Sequence, residues 1–198
     1  MSIDREPASR NDQVPVTLEN YKTAESDLAF NNVTKFVGTN KWLHSPADSL
    51  DLNRQTVVRM NRDTIYSGAV VNVSEGATIT LPESDGRYIS AMVVQNDHYI
   101  DQVFKTPGEH VIEAATDFVL VAVRIRSNPE DPQDTDTIRS LQQKLRISAK
   151  ATDPHVMPNY DMEQLLALRN ELAAEAATKG SLNNMSGARG TVDERMHL

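Results

Sequence analysis

The sequence contains no cysteine, which removes disulfide bridges, thiolate nucleophiles and Cys-ligated zinc in one step. Aromatic residues are scarce at 5%, and the single tryptophan, Trp42, is the natural anchor for the irregular stretch around it. No dense block of Lys and Arg exists, and the balance of 20 basic against 28 acidic residues leaves a net charge of −8. Nucleic acid and anionic membrane are therefore not expected partners, because neutralising phosphates needs clustered positive charge. No apolar run is long enough to span a bilayer, and no apolar core follows the polar start from Met1 to Pro15. As written, the chain is expected in the cytoplasm, with export left open for its relatives. The Gly-x-Ser-x-Gly elbow, the His-Glu-x-x-His zinc motif and the phosphate-cradling glycine loop are all missing. No metal and no cofactor are expected.

What is present reads as one domain with extensions, and 198 residues can bury a core without staples. Residues 1–16 are expected as a disordered arm, 17–150 as the main domain, 151–180 as a helical extension and 181–198 as a flexible tail. Thr17 is a candidate cap for a helix beginning at Leu18, and Leu18, Tyr21, Ala24 and Leu28 form an apolar stripe that Phe36 and Val37 continue. Gly38 is a stop signal. From Gln55 the period changes from 3.6 to 2. Ile65, Ser67, Ala69, Val71 and Val73 alternate with Tyr66, Gly68, Val70 and Asn72. Ala77–Leu81 and Arg87–Gln95 flank Pro82-Glu83-Ser84-Asp85-Gly86, which predicts a hairpin. Phe118–Ile125 is the most apolar run and predicts a central strand covered on both faces. Two helices follow. The first has Ile138, Leu141 and Leu145 on one side; the second has Met162, Leu165, Leu166, Leu172, Ala173 and Ala176. The expected fold class is α+β: a mostly antiparallel sheet flanked by an N-terminal helix and two C-terminal helices.

The run Gln55-Thr56-Val57-Val58-Arg59-Met60-Asn61-Arg62-Asp63-Thr64-Ile65-Tyr66-Ser67 resembles the signature of the bacterial DUF1254 family, a domain of unknown function. Leu81-Pro82, Asp85-Gly86-Arg87-Tyr88, Asp97-His98-Tyr99 and Phe118–Arg124 follow in the family's order. The resemblance covers about Val14 to Ile147. It implies a two-part design, this α+β part followed by a β-sandwich domain, with the sequence from Thr191 to Leu198 resembling the approach to that second part.

Two polar segments are candidates for chemistry. In Asn61-Arg62-Asp63-Thr64, Arg62 can clamp a carboxylate through its planar fork, with Asn61 and Thr64 as further ligand-binding groups. Asp63 can orient that clamp or accept a proton, and Tyr66 can supply a hydroxyl. In Asn96-Asp97-His98-Tyr99, His98 is the proton carrier suited to neutral pH. Asp63, Tyr66 and His98 are thus the catalytic candidates. Glu25, Arg59 and Asp97 are expected in a structural polar network, since buried charges need partners. The expected role is that of a ligand- or partner-binding half of a two-domain architecture. The ligand would be small and polar or acidic, and the partner a second copy or a separately encoded β-sandwich domain. The alternative is a hydrolase-like enzyme gathering Arg62, Asp63, Tyr66 and His98.

Overall fold

The computed structural model describes residues 12–46, 63–131, 133–179, 184–195 and 197. The chain opens with helix α1 (Tyr21–Val37) and a short strand β1 (Leu43–His44). Six strands follow: β2 (Thr64–Asn72), β3 (Ala77–Leu81), β4 (Ile89–Gln95), β5 (Gln102–Phe104), β6 (Gly108–Ile112) and β7 (Phe118–Arg126). Helix α2 (Asp134–Lys144), strand β8 (Arg146–Ala149) and helix α3 (Met162–Thr178) complete it. All strand pairs are antiparallel, in a five-stranded sheet ordered β1-β2-β7-β4-β5 and a three-stranded sheet ordered β6-β3-β8. The fold is α+β, with one helix before the main strand block and two towards the end.

The core lies between the two sheets. Alternation supplies it: Ile65, Ala69 and Val71 from β2, Val119, Val121, Val123 and Ile125 from β7, and Ile89, Ala91 and Val93 from β4 point one way. Ile79 and Leu81 answer them from the smaller sheet. Ile138, Leu141 and Leu145 join the same cluster, as their helical spacing predicts. Strand β7 is central, but only its inward side chains are fully buried. Phe118, Leu120 and Ala122 on the outward face are half-buried, and Arg124 and Arg126 are exposed. Helix α1 covers part of that outward face. The position of a Cβ on Gly68 would lie 3.8 Å from Val33 and 3.9 Å from Leu120.

Several expectations need correcting. Ala77–Leu81 and Arg87–Gln95 do not form a hairpin: β3 and β4 belong to different sheets. The Pro82–Gly86 segment reverses the chain and also carries it across the core. Turn residues report a change of direction, whereas the hydrogen-bonding neighbour is a long-range choice. Helix α1 starts at Tyr21, not Leu18, because the Asn20 side chain takes the Thr17 N–H and donates to the Pro15 carbonyl, closing a turn there. Its buried face is Tyr21, Ala24, Ser26, Asp27 and Phe30, while Leu18 and Phe36 are exposed. Strands β1 and β8 are too short to have shown a period. In α3 only Leu165 and Leu172 are buried; they pack with Val16, Tyr21, Ala24 and Tyr160 in a second cluster. No helix among the described residues is long and apolar enough to cross a membrane.

One buried carboxylate joins these parts. Asp27 on α1, 4% exposed, accepts from the Tyr160 hydroxyl at 2.7 Å, from Asn96 Nδ2 at 2.9 Å and from His155 Nε2 at 2.9 Å. Burial, and then the bond to this carboxylate, push the Tyr160 phenol well above its ordinary range. Removing a buried charge partner leaves its donors unsatisfied. Asp27→Ala is therefore expected to lower stability by about 3 kcal/mol, read as a shifted midpoint in urea denaturation; a loss below about 1 kcal/mol would show that the three donors find other acceptors.

Candidate functional site

The strands leave polar groups at both ends of the larger sheet. At one end, β2 begins and β7 finishes: Thr64 lies opposite Arg126, and the Ser127 N–H donates to the Asp63 carbonyl at 2.7 Å. At the other end β4 and β7 meet at Gln95 and Val119, and the turn carrying His98 follows. The nine residues of β7 separate the two ends, which is roughly 25–30 Å of extended strand. Asp63 and His98 are not brought together. Tyr66 stands apart from both: an odd number of residues from Asp63, it projects from the outward face, where the Arg124 guanidinium lies 5.7 Å from its ring centroid. The three catalytic candidates therefore form no single hydrogen-bonded constellation. Asn61, Arg62 and Arg59 lie outside the described residues.

The His98 end is closed. His98 occupies the left-handed region at φ 70°, the third residue of a tight β4–β5 turn where glycine is the usual solution. That backbone sets its Nδ1 3.2 Å from the Ser26 hydroxyl on α1. Asp97 is paired with Arg189 at 2.6 Å, and the same guanidinium stacks 4.2 Å over the Tyr99 ring. Glu194 accepts from the Tyr99 hydroxyl at 2.5 Å. That bond, with burial second, raises the phenol to about 12. His197 is buried against Tyr99 and His98, and burial lowers its pKa. Residues 184–195 and 197, read from sequence as part of a flexible tail, thus lie across this end. Glu25 makes a two-pronged pair with Arg169 of α3, 2.7 Å on each arm, and so ties helix to helix.

The Asp63 end is open. A cleft of about 660 Å³ is lined there by Asp63, Ser84, Asp85, Arg87, Arg126, Ser127, Asn128, Glu130 and Thr137, among others. Its floor is set by Arg87, which grips Asp134 at the start of α2 through both terminal nitrogens and also donates to the Arg126 carbonyl at 2.6 Å. The Asp134 carboxylate accepts the Asn128 N–H at 2.6 Å as well, which shapes the 127–130 loop. Arg87 is thereby committed. Among the described residues, the Arg126 guanidinium and the carboxylates of Asp85 and Glu130 have no partner, and Asp63 accepts only from the Thr64 hydroxyl at 3.2 Å. The Ser127 residue is 7% exposed, and its hydroxyl has no partner among the described residues. No group of three or more His, Asp or Glu is placed to hold a metal among the described residues.

Of the sequence candidates, Asp63 lines this cleft; Arg87, Arg126, Ser127 and Asp134 were not among them. A signal existed. Arg124 and Arg126 interrupt an otherwise apolar strand at alternate positions, and Arg87 directly follows a tight turn. It did not say which acid Arg87 would meet 47 residues later.

Burial works against the Asp134 charge, but the Arg87 bond, the Asn128 N–H and the Arg87 charge outweigh it and hold the carboxyl below its ordinary range. A depressed carboxyl stabilises the fold above its unfolded pKa of about 4 and loses that contribution as pH falls through the lower folded value. Asp134→Asn is therefore expected to reduce stability at neutral pH and to flatten its decline below about pH 4, measured by thermal melts across pH. An unchanged acid limb would mean the pair contributes nothing.

Residues 39–109 match the model of a family described as "Protein of unknown function (DUF1254)". The structure is similar to the crystal structure of the VPA0106 protein from Vibrio parahaemolyticus, with a TM-score of 0.64 and 14% sequence identity over 90% of this chain. This chain spans 63% of that one. At such identity the likeness concerns the fold alone. Comparison with curated proteins finds no match.

Proposed function

We propose, for a chain that carries the DUF1254 segment at residues 39–109, that its role is to bind a small polar ligand in the cleft beside Asp63. The observation that carries this reading is the state of the cleft's polar groups. Arg87 is spent on Asp134, whereas the exposed charges of Asp85, Arg126 and Glu130 have no protein partner among the described residues. A small polar ligand can pair with charges that the fold leaves unanswered. The volume also falls in the range of small-molecule sites, and the mouth of a β-core is a common place for one.

A shared hydrolase-like site gains no support, since Asp63, Tyr66 and His98 stand apart. Partner binding is a second reading, favoured by Leu166 of α3, which is 47% exposed. A dimer in sedimentation that Leu166→Glu dissolves would support a second copy as that partner; a monomer at all concentrations would remove it.

The ligand reading is tested by titrating the labelled protein with small organic acids, amines, amino acids and sugars while following backbone amide resonances. At least one class is expected to move the amides of residues 84–87 and 126–130. Arg126→Ala should weaken that binding by about tenfold or more, the effect of losing one charged hydrogen bond. If no class moves these amides at a concentration of about 10 mM, far above a typical small-site dissociation constant, the reading is wrong.

A further inference from the structure

We infer that residues 184–195 and His197 act as a pH-sensitive strap, docked across the His98 end of the larger sheet at neutral pH and released in mild acid when the His197 ring takes up a proton. The geometry of that ring carries the inference. His197 is 2% exposed. Its Nε2 lies 3.1 Å from the His98 carbonyl oxygen, which can only accept, so Nε2 carries the ring proton and donates it. Nδ1 of the neutral ring is then bare. It is buried, and no protein atom among the described residues bonds to it. A second proton would place a charge and an unanswered N–H where neither meets water.

The surroundings of the ring are charged on several sides. It sits 4.3 Å from the Tyr99 ring and 5.7 Å from the His98 ring. Burial is the largest influence and lowers the His197 pKa; the bond to the His98 carbonyl opposes it, Lys22 of α1 adds to it, and Glu194 and Asp97 oppose it. The two carboxylates are already engaged. Glu194 accepts from Lys22 at 3.2 Å and from the Tyr99 hydroxyl, and Asp97 pairs with Arg189, whose guanidinium also covers the Tyr99 ring. His98 is itself titratable, and a proton on either ring disfavours one on the other.

The other ties of the strap are of a different kind. Arg195 pairs with Glu175 at 2.7 Å and Lys179 with Asp193 at 3.1 Å, which joins the strap to α3. Gly187 accepts the Ile100 N–H at 2.9 Å, and the Arg189 N–H donates to Asp101 at 2.9 Å. Carboxylates, Lys and Arg do not ordinarily change charge between about pH 7 and 5.5, whereas histidine does. Ion pairs as accessible as these also hold weakly. The buried ring is the tie that responds. A docked ring that binds its proton less readily than a released one, whose ordinary value is about 6.5, favours docking most above that pH. Docking weakens as pH falls below it, by at most about tenfold per pH unit, until the docked ring is protonated too. Release uncovers Tyr99 and the His98–Ser26 contact, so the end of the sheet that is closed at neutral pH opens in acid.

The test uses the full chain. The His197 ring resonance, assigned by its loss in His197→Gln, is titrated by NMR. Trypsin cleavage after Arg189 and Arg195 is timed from about pH 8 to about pH 5.5 and divided by the rate on a free peptide of residues 184–198. The expected results are a His197 midpoint below that in the peptide and a relative cleavage rate that rises at least about threefold towards acid. His197→Gln keeps an N–H donor for the His98 carbonyl and cannot titrate, so its relative rate should not vary with pH. If glutamine instead loosens the strap at every pH, the wild-type midpoint and cleavage curve decide. A midpoint at or above the peptide value, or flat cleavage of the wild type, would overturn the inference. So would a pH dependence that survives His197→Gln, which would assign the response to another group.

Discussion

The Asp27 carboxylate is the constraint on which much of the arrangement hangs. A charge removed from water must be answered by donors, and this one is answered by three side chains from two distant segments of the chain. Asn96 lies in the β4–β5 turn, and His155 and Tyr160 lie in the segment between β8 and α3. The three bonds fix where α1 crosses the sheet and where α3 begins. The ring of His155 is also held edge-on against Phe30 and Phe118, so the polar joint sits in an aromatic collar that keeps water out. Glu25 and Arg169 reinforce the same joint two residues earlier on α1.

That joint divides the molecule functionally. Around His98 and Asp97 most polar groups are paired, although Asp97 Oδ1 and His197 Nδ1 are buried without a partner among the described residues, and the described part of the C-terminal region covers them. Around Asp63, the fold uses Arg87 and Asp134 to secure the loop after β7 and leaves Arg126 and Ser127 uncommitted. The two ends thus differ in character, one covered and one open as a cleft. A buried polar network ties its surroundings together, whereas the charges of Asp63, Asp85, Arg126 and Glu130 at the other end face solvent.

The elements of this fold were legible where one local rule governs them. β3 was readable to the residue from strict alternation between two turns, and β7 from its apolar run. Ile138, Leu141 and Leu145 followed from helical spacing. Pairing was not legible, because nothing in Ala77–Leu81 says that its neighbours are β6 and β8 rather than β4. Asp63 was visible as a polar interruption of a strand, whereas Asp27 was not, since it sits one position away from the apolar stripe read through Leu28. His155 and Tyr160 lie in a proline-containing connection with no period to mark them. Their importance comes from a carboxylate more than a hundred positions earlier, and no local pattern carries such a relation.

The segment from Pro82 to Gly86, which fails to be a hairpin, has a consequence for recognition. Because it carries the chain from one sheet to the other, the Asp85 side of the cleft is anchored at both ends in separate layers of a close-packed core. The opposite lip, from Ser127 to Glu130, is held through Asp134 to a helix that packs into the same core. Neither lip can swing independently of the sheets, and packed sheets resist sliding. A cleft framed in this way keeps one shape, so under the binding proposal little of the binding energy would go to rearranging the host.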